Sequence, residues 1–91
     1  MNSKIKSTEL YSKETERAFL GSVLIDPNVL KQINGKLKPE HFYHRKHKVI
    51  FQTILDMIQG GKIVDLVTLT NRLKEIDKLE EVGGAYEISG L

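Results

Sequence analysis

His41, His44 and His47 fall three residues apart, and a helix beginning at Tyr43 would set His44 and His47 on one face. Imidazoles so placed can ligate zinc. Zinc, however, takes three or four ligands held by further hydrogen bonds, and no cysteine or placed carboxylate completes a set here. Glu40 is the nearest recruit, and the plainer reading is three surface or interface histidines. The only candidate phosphate loop is Gln59-Gly60-Gly61-Lys62. A true phosphate loop reads G-x-x-x-x-G-K-[ST], with backbone amides around the phosphate and a hydroxyl for magnesium. Here the first glycine is missing and Ile63 stands where the hydroxyl belongs, so the segment reads as a helix stop. Serine, histidine and aspartate all occur, but no elbow motif arranges them as a nucleophilic triad. The expectation is a chain with no catalytic, cofactor or metal site of its own.

The run His44-Arg45-Lys46-His47-Lys48 poses a different question. Three formal positive charges in the first turn of a helix oppose its dipole, at roughly a few tenths of a kcal/mol each. Either this end is solvated and tolerated because packing elsewhere dominates, or it faces an acidic partner or nucleic-acid phosphate. A nucleic-acid site would want a second basic stripe, for which Lys36, Lys38 and Lys46 are the candidates. Phe42, Tyr43 and Phe51 read as an aromatic core cluster. Tyr86 follows a glycine pair and is either packed inward or presented to a partner.

These residues sit in a chain of 91, enough for one domain, with 40% hydrophobic and 29% charged residues, an ordinary globular balance. A net charge of +2 is too mild to argue for nucleic acid by itself. The absence of cysteine removes disulfides, thiolate catalysis and cysteine-ligated zinc together. The N-terminus is polar, and no stretch approaches the ~18 apolar residues of a membrane span, so a soluble cytoplasmic protein is expected.

Local signals outline the elements. Residues 1–11 are polar and aperiodic, a loose arm. Ser12 caps a first helix whose opening turn carries Glu14 and Glu16, and Ala18, Phe19, Leu20, Val23 and Leu24 form its apolar stripe. Asp26-Pro27 ends that helix and starts a short second one, burying Val29, Leu30 and Ile33 and closed by Asn34-Gly35. Pro39 opens a single turn that brings Phe42 and Tyr43 toward the core. The third helix spans about 45–59 on a ridge of Ile50, Phe51, Ile54, Leu55 and Ile58, stopped by Gly60-Gly61. Asp65, with Thr68 three residues on, caps a fourth helix with Leu66, Leu69 and Leu73 inward; Ile63-Val64 is too short for a strand. A turn at Asp77-Lys78, a helical turn from Leu79 to Val82, a break at Gly83-Gly84 and a last helix over 85–91 follow. The predicted fold is all-α, a compact bundle of five to six short helices around the central one at 45–59.

Four segments in order, LGSVLIDP (20–27), EHFYHRKHKVIF (40–51), VDLVTL (64–69) and LEEVGGAY (79–86), resemble the N-terminal domain of the DnaB family of replicative DNA helicases. The likeness runs over 12–91 without a gap. The usual ending of that pattern is G-G-x-x-Y-L, and here Tyr86 comes one residue early. The resemblance implies a non-catalytic collar domain of a hexameric helicase, a trimer of dimers, that receives the C-terminal helicase-binding domain of primase. It also implies a parent with a helical hairpin, a linker and a RecA-like ATPase domain, where ATP, magnesium and most DNA contacts would reside. Glu14, Arg17, Arg45, Lys48, Tyr86 and Glu87 are the expected partner-binding residues. The alternative is a small nucleic-acid-binding module using the His44–Lys48 end.

Overall fold

The computed structural model describes residues 12–33 and 35–91. The arm expected at 1–11 and the share of Asn34 in a helix cap lie outside the described residues. Within them the chain is all-helical: α1 (Lys13–Ile25), α2 (Val29–Ile33), a 3₁₀ turn (Pro39–His41), α3 (Arg45–Gln59), α4 (Leu66–Glu75) and α5 (Gly84–Ser89). Helix α3 is the hub, packing on α1, the 3₁₀ turn and α4, while α5 packs on α4.

The helix ends follow from side chains at the caps. Ser12 Oγ accepts from the Thr15 amide at 3.0 Å, opening α1. Asp65 accepts from the Thr68 amide at 2.8 Å and the Thr68 hydroxyl accepts from the Asp65 amide at 2.9 Å, a reciprocal box opening α4. At the end of α3 the Lys62 amide donates to the Met57 carbonyl at 2.9 Å and the Gly61 amide to Ile58 at 3.0 Å. Gly61 sits at φ +74° there, which lets the helix stop within one residue. The same pattern closes α4, with Lys78 bonded to Leu73 at 2.8 Å and Asp77 in the left-handed position.

Leu20 and Val23 of α1, Ile50, Phe51 and Ile54 of α3, and Leu69 and Leu73 of α4 make the core, closed by Val82 and Ile88. Several inward assignments do not hold. Tyr43 is 64% exposed, because the extended link after the 3₁₀ turn alternates its side chains and Phe42 takes the inward place. Leu66 and Ile58 are exposed, the one in the first turn of α4 and the other in the last of α3, where the partner helices no longer cover them. Ala18 also faces solvent, since the buried stripe of α1 runs through Glu16, Leu20 and Val23. Helix α2 begins at Val29, later than expected, and its apolar residues are half-buried.

Candidate partner-docking face

Helix α5 has six residues, and Ile88 is its fully buried one. Ile88 inward forces Tyr86, two residues earlier, outward, and its ring is 91% exposed. Of the two readings of Tyr86, inward packing does not hold, and the side chain faces outward.

A clamp on α1 holds this short helix. The Arg17 guanidinium donates to the Glu87 carboxylate and, at 2.6 Å, to the Gly90 carbonyl. Lys46 of α3 lies 3.2 Å from the same carboxylate. The Lys46 hydrogen bond holds the Glu87 carboxyl below the ordinary 4.5, against partial burial and with help from the charges of Arg17, Lys46 and Lys13. One turn beyond Arg17, a Cβ on Gly21 would lie 2.8 Å from the Leu91 carbonyl carbon. The glycine of the Leu20-Gly21-Ser22 segment is thus what lets the chain after α5 cross α1. A second tie joins α3 to the turn before α5, with Arg45 3.2 Å from Glu81, which also lies 3.5 Å from Lys78 of its own turn.

Beneath the basic run lies Glu16. Its carboxylate accepts from the Tyr43 amide at 2.5 Å, the His44 amide at 3.3 Å and His47 Nδ1 at 2.7 Å. These groups surround the N-terminus of α3, so an acid from α1 supplies the anion that this dipole favours. The basic run is tolerable for that reason. A carboxylate–imidazole pair is also a general-base arrangement, but these partners are mainly backbone amides, which makes Glu16 a cap. His47, expected at the surface, is fully buried, a correction forced by its place on the ridge of Ile50, Phe51 and Ile54. Burial lowers its pKa below 6.5, and the hydrogen bond and charge of Glu16 only partly offset this. Facing a carboxylate, Nδ1 is the nitrogen that carries the proton of this hydrogen bond, and Nε2 has no hydrogen-bond partner among the described residues.

The sign of the pH effect follows. An imidazole whose folded pKa is depressed leaves the unfolded chain binding more protons once the pH falls below 6.5. Stability is expected to be full above that value and to drop as pH falls through it. Glu87 acts in a lower window, since its stabilisation is lost only as pH falls below 4.5. Urea unfolding at a series of pH values checks this: His47→Leu should flatten the upper slope and leave the lower one.

Of the six residues expected to meet partners, Arg17, Tyr86 and Glu87 come together, with Glu14 exposed one turn before Arg17. Arg17 and Glu87 are half-buried and paired with each other, while Tyr86 stands clear. Arg45 is exposed and engaged by Glu81; Lys48 is half-buried one turn along α3. A phosphate at the His44–Lys48 end would compete with Glu81 for Arg45 and with Glu87 for Lys46. Among the described residues no group of three or more histidines or acids could hold a metal ion, and no helix is long and apolar enough to cross a membrane.

The family model for the DnaB-like helicase N terminal domain matches residues 8–91. The chain belongs to the DnaB N-terminal domain family. It is 42% identical over 80 residues to the replicative DNA helicase DnaB of Geobacillus stearothermophilus, covering 88% of this chain and 18% of that one. The replicative DNA helicase DnaC of Bacillus subtilis is 41% identical over 71 residues, which are 78% of this chain and 16% of the relative. The chain thus spans under a fifth of the length of these curated relatives. The crystal structure of the N-terminal domain of DnaB helicase from Mycobacterium tuberculosis superposes with a TM-score of 0.81 at 26% identity, covering 89% of this chain and 56% of that one. The all-helical DnaB-type fold and the four signature segments thus agree. In this DnaB domain the segments are a helix crossing, a buried cap, a capping box and the turn that opens α5.

Proposed function

We propose that this chain is the assembly and docking domain of a replicative DNA helicase. Copies of it form a collar, a trimer of dimers, above the motor ring, and the collar receives the C-terminal helicase-binding domain of primase. The domain itself is non-catalytic. ATP, magnesium and most DNA contacts belong to the motor domain of the parent, which works in the cytoplasm.

The observation that carries this reading is Tyr86, a near-fully exposed aromatic on a helix that an ion cluster holds in place. An exposed aromatic rimmed by charge is a common form of interface anchor, and a helix already held in place lowers the backbone part of the cost of ordering. Glu14 and Lys48 would contribute at the rim, and Arg17, Glu87 and Arg45 by holding the face.

Calorimetric titration with the primase helicase-binding domain tests this. Tyr86→Ala is expected to weaken binding by about thirtyfold, the size of a hot-spot loss, while thermal stability stays the same. Glu14→Lys and Lys48→Glu should weaken it a few-fold, in a salt-dependent way. The reading fails if all three variants leave both primase affinity and self-association unchanged.

A further inference from the structure

Helix α3 ends in a second surface, twelve residues from Lys46 and so about 18 Å along the helix from the Tyr86 face. A groove of about 610 Å³ opens there between α2 and the connection from α3 to α4. Leu30, Leu55, Ile58 and Ile63 supply apolar lining, and Ile63 is 76% exposed. Lys31 and Lys62 line it too, and among the described residues no acidic side chain does. An apolar groove whose charged lining residues are lysines has a definite complement: apolar side chains in a stripe with carboxylates beside them.

The walls decide the shape of that complement. Leu55 and Ile58 are three residues apart on α3, so the α3 wall is a helix face whose amides are already bonded along the helix. No strand edge occurs among the described residues, so an extended peptide would find no ladder to join. A helix brings its own backbone bonds and lays an apolar stripe into such a groove.

We propose that this groove docks an acidic amphipathic helix of a partner protein, at a site separate from the Tyr86 face. Two synthetic helices of one leucine pattern, the other positions glutamate in one and lysine in its counterpart, test this against the ¹⁵N-labelled chain. The glutamate helix should shift the amides of residues 28–31 and 58–64 and leave those of Tyr86 and Glu87 in place. Lys31 and Lys62 are exposed, so K31E/K62E should fold normally, weaken the glutamate helix by about tenfold and favour the lysine helix. Ile63→Asp should abolish binding of the glutamate helix, and Tyr86→Ala should leave it unchanged, which separates this site from the primase reading. Equal binding of both helices, shifts centred elsewhere, or no effect of K31E/K62E would overturn the proposal. So would concentration-dependent shifts of the same amides in the chain alone, which would make a second copy the occupant.

Discussion

Replacing Glu16 by alanine is expected to lower the stability of this domain by about 3 kcal/mol. The carboxylate accepts two backbone amides and an imidazole at the start of α3, and it is itself buried. Hydrogen bonds to an ionised group contribute about 1.5–3 kcal/mol each, and donors left unmet after truncation keep their desolvation cost. Moving the imidazole proton to Nε2 brings no relief, because that atom is buried without a partner among the described residues, and the amides that the carboxylate accepts lose this acceptor. A domain of this size has on the order of 5–15 kcal/mol in total, so much of its margin would go. Thermal unfolding followed by circular dichroism should show a fall on the order of 15 °C. Glu16→Gln should fall between, since the amide oxygen still accepts while its NH₂ group faces donors. A Glu16→Ala variant within about 1 kcal/mol of the parent would show that the cap is not what holds α3 to α1.

The same residue shows what could be read from the chain and what could not. Helical periodicity located α1, α3 and α4, and cap and stop signals located their ends, because those signals are local. Ser12, Asp65 with Thr68, and Gly61 act within four residues of themselves. Glu16 acts across 27 to 31 residues, and nothing in its neighbourhood requires that. One sign was legible: Glu16 shares its helical register with Leu20 and Val23, so a carboxylate stood on the buried stripe. His47 stood likewise on the ridge of Ile50, Phe51 and Ile54, and extending that ridge by one turn would have buried it. Two ionisable groups each out of place on an apolar face are a reason to pair them. The exposure of Tyr43, Leu66 and Ile58 was not legible, because it depends on where neighbouring helices end.

The docking face has the same division. That Tyr86 follows the glycine pair is plain in the chain, but its direction is set by Ile88 and by a clamp from Arg17 and Lys46, 70 and 41 residues away from Glu87. Arg17 and Glu87 therefore support the exposed ring and are poorer contact residues than their charge suggests. Their truncation should be felt as a loosening of α5.

Phe51→Ala is expected to have the largest effect of all, about 3–5 kcal/mol, because the ring is fully buried and α1, the 3₁₀ turn and α3 meet on it. Phe51 lies 5.0 Å from Phe42 and 5.8 Å from Phe19 between ring centres, and Phe19 and Phe42 are 6.1 Å apart. Each such pair adds about 0.5–1.5 kcal/mol beyond its buried area. The cluster also positions the cap, since Phe19 is one turn from Glu16 and Phe42 precedes the Tyr43 amide that Glu16 accepts. Packing and capping should therefore fail together. The milder pair Phe51→Leu and Glu16→Gln can be combined in one folded protein, and chemical denaturation gives the four stabilities of the cycle. Because the two side chains act through the same stretch of backbone, a coupling above about 0.5 kcal/mol is expected. Additivity within that margin would mean that the aromatic cluster and the cap hold α1 to α3 independently.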